Sequence, residues 1–238
     1  MNYKRMKKGI VEWDVVNWWK FIKRIDRLNI KMKGKQVLEL GARNGGLSLY
    51  YALKGANVLC TDVKGNGLYS KAVKLHKEYN VSQNVEYETI DATDIPEKYN
   101  GFFDVITFKS VIGGVGSLGG GYEKQQAMVD SIERCLKPGG LVIFADNMQA
   151  TKVHGFCRMK FRKHGMRWHY ETEKEIEELF AGFKLLDKCY YGFLGCFGVN
   201  EFMRNVLGNI DTIVFERICP DRWKYIGVYI FQKQKTTK

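Results

Sequence analysis

The sequence predicts an α/β protein: a doubly wound, seven-stranded, mostly parallel sheet with an antiparallel last strand and a helical N-terminal extension. Three observations predict it. From residue 36 onward, short apolar runs alternate with longer amphipathic stretches, the rhythm of βαβ units with right-handed crossovers. The 238 residues are 45% hydrophobic with only 3 prolines, enough to bury one large core and too little proline for a linker-dominated chain. No internal repeat or Pro/Ser-rich linker divides the sequence, so residues 1–35 read as a basic helical extension and 36–238 as a single domain.

The elements follow in order. Val11, Val15, Trp18, Trp19, Ile22 and Ile25 recur at helical spacing, predicting one amphipathic helix over 10–28 that packs its two tryptophans on the sheet. QVLEL (36–40), NVLCTD (57–62), VEYETI (85–90), FDVITFK (103–109) and LVIFAD (141–146) are the first five strands, with helices near 46–54, 67–80 and 122–136 between them. IGGVGSLGGGY (112–122) holds six glycines and is expected to be a mobile, lid-like loop. KPGG (137–140) marks a turn into the fifth strand. Thr172 and Glu175 form a capping signal for a helix ending near Gly182. KLLDKCYYGF (184–193) and KYIGVYIFQK (224–233) are the last strands, an antiparallel edge pair separated by an insertion, 194–223, with a helical candidate of its own.

Charge and cysteine usage exclude several classes. No run of ~18 apolar residues is present, so a spanning helix is excluded. MNYKRMKKGIVEWDVV is basic but lacks the apolar core and small-residue cleavage site of a leader, and the six cysteines form no C-x-x-C pair. Reduced thiols, no metal site and a cytoplasmic location are the expectations. The formal net charge is +12, and residues 1–35 carry eleven Lys/Arg against three Asp/Glu. A second cluster, 152–169, holds six Lys/Arg, three His and no acid, interleaved with Phe156, Phe161 and Trp168. Such surfaces attract nucleic acid, anionic lipid or an acidic small molecule.

The chemistry centres on VLELGARNGG (37–46), a strand, a glycine turn and a helix. In open parallel sheets, ligands bind beyond the carboxyl ends of the strands. Gly41, Gly45 and Gly46 admit close approach to the backbone, and the helix amides behind them are expected to add positive charge. Asp62, at the end of the second strand, is placed to accept from both hydroxyls of a ribose. A dinucleotide G-x-G-x-x-G would need glycine where Arg43 stands, and the phosphate-loop pattern is absent. The ligand is therefore a ribose compound without a diphosphate. YETIDATDIP (87–96) adds Asp91 at the end of the third strand, positioned for an exocyclic adenine amine.

With GFFDVITFKSVIGG and LKPGGLVIFAD, these motifs in this order resemble the class I S-adenosylmethionine-dependent methyltransferases over about residues 36–147. The resemblance implies the Rossmann-like methyltransferase fold and S-adenosyl-L-methionine as cofactor. It implies that Glu39 orders the methionine end and that Gly41, Arg43, Asn44 and Gly45 form the turn, with Arg43 replacing the middle glycine. It places Asp62 on the ribose, Val63 beside the adenine, Asp91 and Ala92 at the adenine edge, and Lys109 and Ser110 next to the methyl group. An ammonium repels a sulfonium, so Lys109 is expected to turn toward an acid or an anionic acceptor.

The expected reaction is an in-line displacement in which alignment dominates and an alcohol acceptor loses its proton. His154 is the candidate base, with His164 and His169 behind it. FKSV replaces the Asn/Asp-Pro-Pro-Tyr pattern that family members acting on base amino groups or glutamine amides use. The reading is therefore O-methylation of a small or glycan-like, acidic acceptor, with Ser110, Tyr122, Arg158 and His169 contacting it and 152–170 and 194–223 capping it. Three alternatives remain. An RNA methyltransferase is disfavoured by the lack of an RNA-binding module. A nicotinamide-dependent oxidoreductase is disfavoured by Arg43. The third is a non-catalytic, cofactor-binding scaffold whose basic N-terminus contacts an anionic membrane surface.

Overall fold

The computed structural model describes residues 3–63, 69–117, 121–161 and 168–234. Helices α1 (Tyr3–Val11) and α2 (Val15–Arg27) precede β1 (Gln36–Leu40), α3 (Gly46–Leu53), β2 (Asn57–Asp62), α4 (Tyr69–Glu78), β3 (Val85–Thr89) and β4 (Phe103–Lys109). Next come α5 (Ile112–Ser117), α6 (Gly121–Cys135), β5 (Leu136–Asn147), α7 (Lys152–Phe161), α8 (Glu173–Leu179) and β6 (Phe183–Tyr191). The chain closes with α9 (Glu201–Ile210), a π-helical turn (Asp211–Phe215), α10 (Glu216–Ile218) and β7 (Ile226–Lys233).

The seven strands lie in the order β3-β2-β1-β4-β5-β7-β6. The first five run parallel, and β7 is antiparallel to both neighbours, β5 and β6. Strand order reverses between β1 and β4, which fixes a crevice beyond their carboxyl ends. Because side chains alternate along each strand, Val37 and Leu38 enter opposite layers. One layer joins Trp18, Phe21, Ile22 and Ile25 of α2 to Tyr51 and Val105. The other stacks Phe108 on Phe144 (centroids 4.5 Å apart) and Phe180 on Phe231 (4.7 Å).

Three expectations change. The single N-terminal helix is two, broken where Glu12 (φ 69°) and Asp14 (φ 46°) take left-handed conformations. The break is stabilised from far along the chain: the Glu201 carboxylate accepts from the Asp14 and Val15 amides (3.0 and 2.9 Å), satisfying donors exposed at the start of α2. KPGG is not a separate turn but an irregular stretch of β5, with Gly139 at φ +77° and a register shift opposite Phe103–Val105. The first half of the glycine-rich loop is helix α5. Asp146 Oδ2 accepts from the Val111 and Ile112 amides at its start (2.8 and 2.9 Å), and a Cβ on Gly113 would lie 2.1 Å from the His169 carbonyl oxygen. Residues 118–120 of that loop lie outside the described residues.

The predicted capping box forms, with the Glu175 amide donating to Thr172 Oγ1 (3.3 Å) and the Thr172 amide donating to Glu175 Oε2 (2.6 Å). Among the described residues no helix is long and apolar enough to cross a membrane. No group of three or more His, Cys, Asp or Glu among them could hold a metal ion.

Candidate functional site

The turn between β1 and α3 is built on glycines at positive φ, Gly41 (+62°) and Gly45 (+73°). A Cβ would lie 2.7 Å from Val111 Cγ2 at Gly41 and 2.7 Å from His76 Cε1 at Gly45, so both positions exclude a side chain. His76 Nε2–H donates to the Gly45 carbonyl (2.8 Å), which leaves Nδ1 to accept from the Tyr87 hydroxyl (2.5 Å). Burial lowers the His76 pKa and keeps the ring neutral. Asn44 is half-buried in the same turn.

The N-terminus of α3 is not open to a ligand, contrary to expectation. Glu39 accepts from the Leu47 and Ser48 amides (3.2 and 2.7 Å) and from the Ser48 hydroxyl. An internal carboxylate therefore takes the positive end of the helix. Burial pushes the Glu39 pKa up to about 7 against the lowering effect of those bonds.

At the ends of β2 and β3 the residues expected to hold an adenosine lie in one row. Asp62 is buried, and its Oδ2 accepts from the Arg43 amide (2.9 Å), which orients the carboxylate at the rim. Val63 is 55% exposed, an apolar side chain presented to solvent. Asp91 is exposed and turns its Oδ1 onto the Thr93 amide and hydroxyl (2.9 and 2.8 Å), beside buried Ala92. This acceptor set, with an apolar residue on either side, fits a nucleoside.

Lys109 ends β4 and departs from expectation. Its Nζ is buried without a hydrogen-bond partner and lies over Trp13, 3.2 Å from the ring centroid, and 4.8 Å from that of Trp18. It faces aromatic rings, not an acid. Burial lowers its pKa to about 7, against the pull of Glu12, Glu39 and Asp146, while Arg43 lowers it further. With its pKa lowered to about 7 the amine is charged for only part of the time at neutral pH, so it repels a sulfonium less than an ordinary ammonium would. Arg43 also stacks on Trp13 (5.0 Å) and pairs with Glu12 (3.5 Å). Between Glu39, Gly41, Arg43 and Lys109 only about 10 Å³ of cavity remains. Trp13, packed on Lys109 and Arg43, thus fills the space beside Glu39 and Gly41.

A second cavity, about 760 Å³, lies beyond the ends of β5, β6 and β7. Tyr190, Phe193, Phe197 and Trp223 form aromatic walls, and Thr151, His154, Glu171 and Lys224 are its main polar groups. His154 is fully buried, with Nε2–H donating to the Phe193 carbonyl (2.8 Å), so Nδ1 accepts from Thr151 Oγ1 (2.7 Å). Burial lowers its pKa. Glu171 Oε1 accepts from Gln125 (2.6 Å) while buried Oε2 has no partner, and burial followed by the nearby Asp146 carboxylate pushes the pKa up to about 9.

The remaining candidates scatter. Arg158 is buried and clamps the end of β5, donating to the Met148 and Gln149 carbonyls (2.8 and 3.2 Å) and stacking on Tyr170. Ser110 Oγ accepts from Asn147 (2.9 Å), His169 pairs with Glu175 (3.5 Å), and Tyr122 is 53% exposed at the start of α6. None of these four lines the large cavity. His164 lies outside the described residues.

Sequence reasoning missed Trp13, Thr151, Asp146 and Glu171. Asp146 carried a readable signal, an acid ending an otherwise apolar strand beside the end of β4. Glu171 was hidden by the capping box that follows it.

Residues 38–144 match the family model of the methyltransferase domain. The chain is 31% identical over 136 residues to the ubiquinone biosynthesis O-methyltransferase of Dechloromonas aromatica, covering 56% of this chain and 54% of that protein. It is 28% identical over 152 residues to the enzyme of that name from Pseudomonas syringae pv. tomato, with 61% of each covered. The chain thus matches little more than half the length of these curated relatives. Among solved structures, a SAM-dependent methyltransferase from Methanosarcina mazei superposes with a TM-score of 0.65 at 16% identity, over 89% of this chain and 97% of that one, a likeness of fold.

Proposed function

We propose that the chain is a class I S-adenosylmethionine-dependent methyltransferase and that it methylates a hydroxyl oxygen of a small, largely apolar acceptor. The match of residues 38–144 to the methyltransferase-domain model supports the first part of this reading. The observation that carries this reading is the ~760 Å³ cavity with aromatic walls and a neutral histidine at its polar side. Apolar walls with a few placed polar groups select a ring bearing a hydroxyl over a sugar, whose many hydroxyls would go unpaired there. Exposed Lys152 and Arg222 at the rim favour an acidic substituent at the acceptor's outer end. The names of the two curated relatives, both O-methyltransferases, support oxygen as the acceptor atom.

S-adenosylmethionine supplies, when bound, an electrophilic methyl group on a sulfonium. The chain's own residues orient and deprotonate. Asp62 holds the ribose hydroxyls and Asp91 the adenine amine, with Val63 and Ala92 against the base. Glu39, through Leu47 and Ser48, keeps the Gly41–Gly45 turn in shape. Lys109 presents at the end of β4 an amine whose pKa burial lowers to about 7. His154 is the base: its unprotonated nitrogen, Nδ1, accepts from the Thr151 hydroxyl, so Thr151 passes its proton to Nδ1 as it takes the proton leaving the acceptor. Such assistance contributes ~10²–10⁴-fold.

The test is transfer of isotope-labelled methyl to matched panels of hydroxylated aromatics, sugars and amines. Labelled ether from an aromatic hydroxyl is the expected product. Label appearing only on sugars or amines overturns the reading.

A further inference from the structure

The segment after β6 shows the solvent a face that a monomeric protein seldom leaves bare. Phe202 (76% exposed), Val206 (45%), Ile210 (38%), Ile213 (63%) and Ile218 (69%) recur at three- to five-residue spacing along α9, the π-turn and α10. That spacing puts them along one stripe.

The charges of this segment are sorted by side. Glu201 is committed to the Asp14 and Val15 amides of α2 (3.0 and 2.9 Å). Asp211 is buried against the Leu194 and Gly195 amides and Asn17 (2.7, 2.9 and 3.0 Å). Glu216 pairs with Lys20, and Asp221 with Lys224 (2.7 Å). With the acids turned inward or paired, the outward side is apolar and carries exposed Arg217 and Arg222. Trp223, 41% exposed at the end of the segment, also lines the large cavity, so this surface runs into the cavity's rim.

We propose that this face docks on an anionic phospholipid surface, lying in the plane of the interface with its apolar stripe among the acyl chains. Apolar side chains flanked by arginines, with an aromatic at the edge, suit that environment. The net charge of +12 favours anionic lipid and opposes pairing of two copies of this chain. The docking is independent of which acceptor the enzyme takes.

The full chain is tested by flotation with vesicles of phosphatidylcholine alone and of phosphatidylcholine mixed with phosphatidylglycerol. Flotation with the mixed vesicles, weakened by salt, is expected. The triple variant Phe202→Ser, Ile213→Ser, Ile218→Ser should lose roughly tenfold or more of its partition. Its unchanged affinity for S-adenosylhomocysteine would show that it is folded. A second variant, Lys4→Gln, Lys7→Gln, Lys8→Gln on α1, should lose far less of its flotation than the triple variant. The proposal is overturned if the unaltered protein stays with the soluble fraction, if the triple variant floats equally well, or if only the α1 variant loses binding. It is also overturned if sedimentation shows a dimer that the triple variant breaks while vesicles bind neither protein.

Discussion

Replacing Lys109 by methionine should stabilise the protein, most strongly at and below neutral pH. The amine ordinarily titrates at 10.5 and is held down to about 7 in the folded chain, chiefly by burial. At 1.36 kcal/mol per pH unit, a charged Lys109 costs about 4–5 kcal/mol below neutrality, an upper bound that relaxation will reduce. Between pH 7 and 10.5 the unfolded chain binds a proton that the folded chain has released, so this group makes stability rise with pH by up to ~1.4 kcal/mol per unit. Methionine keeps the length of the stem and places a thioether against Trp13 and Trp18. Urea unfolding of both proteins from pH 6.5 to 10 measures the effect. The gap between them should be widest at the acidic end and nearly closed at pH 10. Parallel stability curves, or a methionine variant less stable at neutral pH, would refute a buried amine with a lowered pKa.

Further outcomes follow from the same geometry. Asp62→Ala should weaken S-adenosylhomocysteine binding by about 1.5–3 kcal/mol in calorimetry, the range for hydrogen bonds to a charged group; unaltered affinity would remove Asp62 from the ribose site. Glu171 ordinarily titrates at 4.5 and is pushed up to about 9, so the folded chain keeps a proton the unfolded chain has lost between those values. Stability from this group is fully present below pH 4.5 and drains as pH rises toward 9; Glu171→Gln should flatten that fall in urea titrations. His154→Ala should lower turnover by ~10²–10⁴-fold while leaving cofactor affinity unchanged, and near-normal turnover would place the base elsewhere.

The strands were legible wherever burial alone dictates sequence. β1, β2 and β4 are apolar runs because both faces of a parallel sheet are covered, and their ends match the expected ranges. Asp62 was readable as an acid closing the apolar run of β2, whereas Asp91 follows β3, whose alternating polar residues mark it less clearly. What escaped depended on partners distant in the chain. The break at Glu12–Asp14 is capped by Glu201, 187 residues beyond Asp14, and no local periodicity reports it. Placing Trp13 on Lys109 requires that break, so this packing was invisible too. IGGVGS read as a loop because glycine disfavours helix, yet Asp146 caps it and Trp168 packs where a Cβ would be. The large cavity has no sequence signature, because it arises where α7, β6 and the 221–223 turn meet.

In the proposed reaction an adenosyl ligand lies across the ends of β1 to β4 and the acceptor occupies the cavity beyond β5. Crystals grown with S-adenosylhomocysteine measure this directly. The ribose is predicted on Asp62, the adenine between Val63 and Ala92, and the sulfur near Lys109 with Trp13 swung off its amine. A ligand seated in the aromatic cavity, or Trp13 still packed on Lys109 in crystals saturated with the ligand, would contradict it.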